Sequence, residues 1–295
     1  MIQDNSLSRK LFVVFNYTLL SLIALTCVLP LIQVIAISFS SPEAATAGFV
    51  KLFPVDFTTA AYEYVLGREE FFNSILVTLK RVGIGVPLNM LLTILIAYPL
   101  SKETKVFRSR TFYAWLFVIT ILFQGGLIPL YMVVKGTNIL DTIWALILPG
   151  AVPVFNVILL LNFFRGLPKE LEEAAFIDGA GHWTVLWKIY LPLSIPALAT
   201  ITLLTTVMHW NSWFDGLIFM NSPDNYPLQS YMQTTVIQQN TLSIINDSGS
   251  IDLSKISDRT ARAAQVILGA LPILIAYPFL QRFFVKGIVL GSVKE

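Results

Sequence analysis

Hydrophobic residues fall into six long runs along this chain, and polar segments separate them. The runs cover about 11–37, 71–100, 111–134, 142–163, 193–220 and 263–284. A helix needs about 20 apolar residues to cross the hydrocarbon core of a bilayer, and each run reaches that length. The pattern therefore predicts an all-α, polytopic membrane protein, with six transmembrane helices in a single domain that covers residues 1–295.

The first run follows Arg9 and Lys10, much as the apolar core of a secretory signal follows basic residues. The run is longer than such a core, and no small-residue cleavage site is evident. We therefore expect a retained first span, bent at Pro30. Span three is expected to be interrupted, because Gln124-Gly-Gly126 and Pro129 lie inside it.

Span two contains two adjacent cations, Lys80 and Arg81, and it is longer than a bilayer requires. One interpretation, which we prefer, places its first part at the interface, where both long side chains extend to lipid head groups. The other interpretation places Lys80 or Arg81 in a transport path.

The distribution of Lys and Arg predicts the side of the membrane that each loop occupies. With the N-terminus inside, twelve of these residues lie in inner segments and six in outer segments, and Lys80 and Arg81 complete the twenty. Both termini and the loop 164–192 are then cytoplasmic, and the loop 221–262 is extracytoplasmic.

Composition and motifs exclude several classes of function. Charged residues make up 13% of the chain, against about 25% in soluble domains, and no basic cluster suggests binding to nucleic acid. The single Cys27 permits neither an intrachain disulfide nor a zinc motif. The chain has no phosphate-binding loop, metalloprotease motif or nucleophile elbow, so we expect no enzyme, and neither a cofactor nor a metal in this chain.

A charged segment between spans four and five is predicted to form two short helices. Pro168 can begin the first helix, and carboxylates favoured by the helix dipole follow it: Glu170, Glu172 and Glu173. Gly179 can take the left-handed conformation that ends a helix. The second helix is expected from Ala180 to Ile189, ending before Pro192. Such a compact knob could dock into a groove on another protein.

The segment also contains a specific pattern: E-A-A, three residues, G, nine residues, I-x-L-P. It is matched without a gap by Glu173, Ala174, Ala175, Gly179, Ile189, Leu191 and Pro192. This resembles the signature loop of the membrane subunits of bacterial ABC importers, whose type I permeases dock into the ATPase subunit through this coupling helix. The resemblance implies ATPase coupling through Glu173, Ala174, Ala175, Asp178 and Gly179.

Further segments resemble the second, shorter permease of carbohydrate importers. They are Phe72-Asn-Ser74, His209 to Phe214, and the tail Gln281 to Gly287 with Gly291 to Glu295. General likeness points to permeases for complex or pectin-derived oligosaccharides. The resemblance implies a multi-pass protein surrounded by lipid in the bacterial cytoplasmic membrane. Its implied partners are a second permease, two ATPase subunits that bind ATP and Mg, and an extracytoplasmic sugar-binding protein.

Sugars are bound by flat aromatic faces and by amide or hydroxyl groups. A segment of span five supplies both types of group: Trp210, Asn211, Trp213, Phe214 and Asp215. Polar groups within other apolar runs are Asn89, Thr93, Gln124 and Asn156. Two alternatives remain open, because Trp residues also form aromatic belts at the membrane interface and amides also hydrogen-bond between helices.

Competing functions differ in the features that they require. A self-contained channel would need no cytoplasmic docking knob, and an ion-coupled carrier would need carboxylates within its spans, where Asp215 is the one candidate in spans two to six. An ABC permease for a peptide or phosphonate remains an alternative. We predict the permease subunit of an ATP-driven oligosaccharide importer. Its loop 221–262, whose first half carries apolar residues from Tyr226 to Met232, is expected either to reach a binding protein or to pack as a lid.

Overall fold

The computed structural model describes residues 7–234 and 258–292, and every regular element in those ranges is helical. The predicted all-α class is therefore confirmed. The chain divides into two compact units, one formed by Met1–Glu69 with Thr235–Leu271 and the other by Glu70–Thr234 with Pro272–Glu295. The middle of the predicted loop 221–262 and the last three residues of the predicted tail lie outside the described residues.

The first unit contains a long apolar helix whose side chains are almost all exposed. Its helices are α1 (Leu7–Ser38), α2 (Pro42–Thr46) and α3 (Ala60–Leu66), together with the first part of the last helix, α15 (Asp258–Ser292). Helix α1 continues through Pro30, and its buried residues are Ala36, Ile37 and Ser38. Its exposed apolar surface suits contact with lipid, because hydrocarbon replaces the protein core as its surroundings.

The second unit begins with α4 (Glu69–Ser101), a helix of 33 residues. The elements that follow it are α5 (Arg110–Leu122), α6 (Leu127–Gly136), α7 (Ile143–Ile147), a 3₁₀ turn (Leu148–Gly150), α8 (Val154–Arg165), α9 (Lys169–Ile177), α10 (His182–Val185), a π turn (Leu186–Tyr190), α11 (Leu191–Leu193), α12 (Ile195–Asn211), α13 (Phe214–Phe219), a 3₁₀ turn (Pro223–Asn225) and α14 (228–234). The core includes Ala97 of α4, Leu160 of α8 and Leu186 of the π turn, each at most 2% exposed.

Bends interrupt three of the apolar stretches. Helices α5 and α6 meet at 114°, the α7 and α8 stretches at 48°, and His182–Leu193 meets α12 at 80°. By length and composition, α1 and α4 are candidate spans, and the described residues offer five if each bent pair is one span. The six-span count and the sidedness therefore stay predictions.

The break in span three was predicted and is confirmed, but Pro129 does not cause it. Gly126 has a φ of 86°, which a residue with a side chain rarely adopts, and α6 begins at the next residue. Pro129 lies within the first turn of α6, where its missing N–H costs no hydrogen bond.

The predicted end of the second short helix before Pro192 is wrong. Helical structure extends from His182 to Leu193, and a π turn from Leu186 to Tyr190 precedes the proline. Such turns are common where the regular hydrogen-bond ladder is disturbed, as a proline without an N–H disturbs it. The chain turns two residues later, at Ser194, whose N–H donates to Tyr190 O at 3.0 Å.

Candidate functional site

Helix α9 carries the motif residues and ends as the sequence predicts. Gly179 has a φ of 81° and its N–H donates to Phe176 O at 3.1 Å, while the N–H of Ala180 donates to Ala175 O at 2.9 Å. These two hydrogen bonds form a Schellman motif, which requires a left-handed residue at the position of Gly179. The glycine of the motif therefore fixes the end of the helix.

The motif residues lie on the surface of the unit. No residue of α9 is buried. Glu173, Ala174, Asp178 and Gly179 are exposed, and Ala175 packs partly against the core. Two large apolar side chains beside them are also exposed, Ile177 by 86% and Trp183 by 64%. Exposed apolar groups next to charged ones are characteristic of surfaces that bind another protein.

Helix α9 is held to the rest of the unit by a buried ion pair. Lys102, which follows the end of α4 and is 7% exposed, donates from Nζ to Glu172 Oε1 at 2.7 Å. Its ammonium also lies 4.0 Å from the ring centroids of both Tyr98 and Tyr190. Burial lowers the pKa of Lys102, and the hydrogen bond and charge of Glu172 oppose that shift. We call Tyr98, Lys102, Glu172 and Tyr190 the Lys102 cluster.

A second ion pair joins the same two segments at the surface. Lys169 of α9 donates to Glu103, and both side chains are more than half exposed. The hydrogen bond from Lys169, together with its charge, lowers the pKa of Glu103, and Glu103 in turn raises the pKa of Lys169. The segment after α4 is therefore connected to α9 by one buried and one exposed ion pair.

Arg81 lies inside the unit rather than at its surface. Its guanidinium is bidentate to Asp215, with Nη1 to Oδ1 at 3.2 Å and Nη2 to Oδ2, and its Nε donates to His209 Nδ1 at 3.2 Å. Arg81 is 3% exposed, whereas the neighbouring Lys80 is exposed. Our preferred interpretation, in which both cations extend to head groups, is therefore wrong for Arg81. The two charge-assisted hydrogen bonds to the Asp215 carboxylate hold the guanidinium inside the protein and not at the lipid head groups. We call Arg81, His209 and Asp215 the Arg81 cluster.

The five predicted sugar contacts of span five do not lie on one continuous helix. Helix α12 ends at Asn211 and α13 begins at Phe214. Trp210 is 5% exposed, while Asn211, Trp213 and Phe214 are exposed. Asp215 accepts from Ser212 Oγ at 2.8 Å and from Gly216 N at 2.9 Å, in addition to Arg81. Asp215 therefore joins the residues of the break between the two helices, and Asn211, Trp213 and Phe214 lie exposed beside it.

The three predicted amides occupy different environments. Asn89 donates to Gly150 O at 3.2 Å, and Asn156 donates to Thr205 Oγ1 at 3.0 Å, so both make hydrogen bonds from one helical segment to another. Gln124 is exposed at the break between α5 and α6. Asn89 Oδ1 and Thr93 Oγ1 are buried one helical turn apart and have no partner among the described residues.

The first part of the loop 221–262 is packed on α4. Leu228 is fully buried, and its N–H donates to Thr78 Oγ1 at 2.8 Å. Ser230 donates to Trp213 O at 2.6 Å. Residues 226–234 therefore form a lid that packs on α4 at Thr78 and on the break between α12 and α13 at Trp213, while the role of the loop 221–262 stays a prediction.

Comparison with known proteins identifies the family. The family model described as "Binding-protein-dependent transport system inner membrane component" matches residues 57–289. The chain belongs to this family. The described helices are thus those of an inner membrane component of a binding-protein-dependent transport system, a permease rather than an enzyme.

Two curated relatives of this permease come from Bacillus subtilis (strain 168). "Polygalacturonan/rhamnogalacturonan transport system permease protein YtcP" is 38% identical over 98% of this chain and 100% of its own length. "Protein LplC" is 37% identical over 98% of this chain and 97% of its own length. The likeness covers both units and includes α1, which contains none of the matching motifs.

A solved structure has the same fold as this permease. It is the crystal structure of a bacterial ABC transporter involved in the import of the acidic polysaccharide alginate. One of its chains superposes with a TM-score of 0.85 and is 32% identical, covering 95% of this chain and 99% of that chain. The predicted resemblance to ABC importer permeases is confirmed.

Proposed function

We propose that this permease moves an acidic, pectin-derived oligosaccharide across the bacterial cytoplasmic membrane in an ATP-driven importer. The observation that carries the proposal is the full-length likeness to a relative named for polygalacturonan and rhamnogalacturonan transport. The structural neighbour takes part in the import of alginate, another acidic polysaccharide. A peptide or phosphonate solute and an ion-coupled carrier are not favoured, because the relative named for its substrate takes a carbohydrate.

The proposed complex contains a second permease, two ATPase subunits that bind ATP and Mg, and an extracytoplasmic binding protein. The family description supports the binding protein. The exposed α9 supports ATPase docking, because a surface helix with a fixed end presents its side chains in one arrangement. We assign the contact to Glu173, Ala174, Ala175, Asp178 and Gly179.

The proposed topology has six spans with both termini in the cytoplasm, as the bias of Lys and Arg predicts. In a Cys27→Ser background, single cysteines at Ser109 and Ser292 should be shielded from an impermeant thiol reagent in intact cells. A cysteine at Ser248 should react. Labelling at Ser292 without labelling at Ser248 would invert the topology.

The proposed solute path includes the exposed part of the Trp-Asn segment. Asn211, Trp213 and Phe214 provide an amide and two aromatic faces beside the break that Asp215 fixes. Aromatic faces and amides are the groups by which a site binds a sugar. We assign Trp210 and Asp215 to the support of this surface, because Trp210 is buried and Asp215 is held by Arg81.

The substrate is tested with the assembled complex in lipid vesicles. ATP hydrolysis is measured with the binding protein and oligogalacturonides, with neutral oligosaccharides of the same length, and with short peptides. We expect stimulation by oligogalacturonides alone. Equal stimulation by the neutral sugars would contradict the preference for acidic sugars, and stimulation only by peptides would overturn the carbohydrate assignment.

A further inference from the structure

We propose that Lys102 is a positioning residue that fixes the coupling helix α9 to the end of α4, so that movement of α9 passes to α4. This proposal rests on the coupling role assigned to α9 above. No motif in the sequence includes Lys102, which lies 70 residues before its partner Glu172. Its importance is visible only in the folded chain.

The Lys102 cluster connects three segments at one point. Tyr98 lies in the last turns of α4, Glu172 in α9, and Tyr190 at the end of the π turn. Both oxygens of Glu172 are used, Oε1 by Lys102 and Oε2 by the Tyr190 hydroxyl, which donates to it. The two tyrosine rings are 5.2 Å apart at 86°, an edge-to-face contact that leaves a ring face for the ammonium.

The other contacts of α9 include the partial packing of Ala175 on the core, the exposed pair of Lys169 with Glu103, and a ring contact between Phe176 and His182. No residue of the helix is buried, and open cavities lie on both sides of Lys102. One cavity, about 320 Å³, lies between the end of α4 and α10, and it is lined by Tyr98, Lys102 and Trp183 among others. The other, about 480 Å³, lies beneath α9 and is lined by Lys102, Glu172 and Phe176 among others. Among the contacts described for α9, the Glu172 pair with Lys102 is thus the more buried of the two ion pairs that fix its orientation.

The chemistry of the cluster suits a rigid connection. An ion pair that is largely buried is screened less by water and salt than an exposed one, and ring faces on two sides restrict the ammonium. The exposed pair between Lys169 and Glu103 joins the same segments, but water and salt screen it. The structure thus provides a matched control, with the same two segments connected by an ion pair at the surface.

The test uses the assembled complex with both permeases, the ATPases and the binding protein. Lys102→Met and Glu172→Gln are each made alone and then combined. A single change leaves one largely buried charge without an opposite charge and can impair assembly, whereas the double change leaves no unpaired charge. Lys102→Arg keeps a cation between the rings, and Glu103→Gln breaks only the exposed pair. Assembly, ATP hydrolysis with oligogalacturonide-loaded binding protein, and sugar taken up per ATP are measured.

We expect the double variant to assemble but to lose at least about fivefold in sugar taken up per ATP, the lower end of coupling between distant sites. Lys102→Arg should restore most of that ratio, and Glu103→Gln should leave it unchanged. A purely structural role predicts instead that the complexes that assemble take up a normal amount of sugar per ATP.

A normal ratio in the assembled double variant overturns the proposal, and so does an equal loss in Glu103→Gln. Gly179→Val tests the coupling role of α9 separately from the role of Lys102, because it changes the end of α9 and leaves the Lys102 cluster unchanged. If Gly179→Val also couples normally, the assignment of α9 is wrong. If Gly179→Val uncouples transport while the double variant does not, the role of Lys102 alone is wrong.

Discussion

The Arg81 cluster and the Lys102 cluster each contain a buried cation that is paired with a carboxylate, yet they differ in construction. Arg81 lies in α4, and Lys102 is the residue that follows the end of α4. In the Arg81 cluster a planar guanidinium meets a carboxylate with two bonds, and His209, Ser212 and Gly216 complete the network. In the Lys102 cluster an ammonium forms one bond to a carboxylate and lies between two rings. Arginine suits the first arrangement and lysine the second, because only arginine offers a fixed fork.

The surroundings of the two clusters also differ. A lid of residues 226–234 covers α4 near the Arg81 cluster, and the cluster holds a break between two helices. The Lys102 cluster lies between open cavities and holds a single surface helix. Along α4 the two cations are 21 positions apart, about 31 Å in a helix. We infer that the first cluster maintains architecture, while the second orients the surface helix to which we assign ATPase docking.

The largest expected effect comes from removing the cation of the Arg81 cluster. Arg81→Met leaves the partly buried Asp215 without its counter-charge, although Ser212 and Gly216 still donate to it, so we expect a loss below the about 3–5 kcal/mol of fully buried pairs. The melting temperature of the complex in detergent should fall clearly. Arg81→Lys should not restore it, because lysine cannot bond both carboxylate oxygens and His209 together.

The control is Lys80→Met, which removes an exposed cation one position earlier. It should leave the melting temperature nearly unchanged. If Lys80→Met and Arg81→Met have equal effects, the Arg81 cluster does not maintain architecture and the contrast between the clusters fails.

A second change strains the Arg81 cluster without removing a charge. A Cβ at Gly85 would lie 2.8 Å from Cε1 and Nε2 of His209, which Arg81 holds in place. Gly85→Ala should therefore destabilise the complex by about 1–3 kcal/mol, the usual cost of overpacking. Gly83→Ala is the matched control, since among the described residues nothing beyond the local helix backbone lies within 4 Å of its Cβ, and alanine favours the helix. Equal melting temperatures for the two variants would contradict the packing of His209 on Gly85.

Local signals in the sequence predicted much of the fold but neither cluster. The end of α9 at Gly179 and the break at 124–126 are determined by residues close together in the sequence, so the sequence alone predicts both. The partners in the clusters are 134 residues apart for Arg81 and Asp215, and 70 apart for Lys102 and Glu172. Pairing over such distances depends on how helices pack, and no periodic pattern records it.

The site residues also divide into those predicted by local sequence and those revealed by packing. The sequence singled out the exposed motif of α9, because its residue types and spacing are specific. It also grouped Asp215 with the sugar contacts, since a carboxylate beside two tryptophans suits a sugar. Only the folded structure reveals that the Asp215 carboxylate accepts hydrogen bonds from Arg81. The π turn before Pro192 was equally beyond prediction, because single turns of this type have no clear sequence signature.

A smaller effect on stability is expected from the end of α9. Gly179→Val forces a β-branched residue to a φ of 81°, which costs at least about 1–2 kcal/mol locally. Because α9 is a surface helix, the complex should still assemble, but stimulated ATP hydrolysis should fall. Gly181→Val is the control, since Gly181 has a φ of −83° and open space around its Cβ. Normal stimulation in Gly179→Val would show that the Schellman end does not orient the coupling helix.

The smallest effect is expected from the exposed pair of Glu103 and Lys169. Its hydrogen bond and charge lower the pKa of Glu103 and raise that of Lys169. The stability that the carboxyl contributes is therefore present above its ordinary pKa of about 4.3 and is lost as the pH falls through its lower folded value. The contribution of the ammonium is present below its ordinary pKa of about 10.4 and is lost at higher pH. Both groups stay charged between pH 5 and 9 or so, by these same pKa values. Glu103→Gln should therefore change neither the melting temperature nor its dependence on pH in this range, and a clearly lower melting temperature throughout it would show that the exposed pair stabilises the complex as a buried pair does.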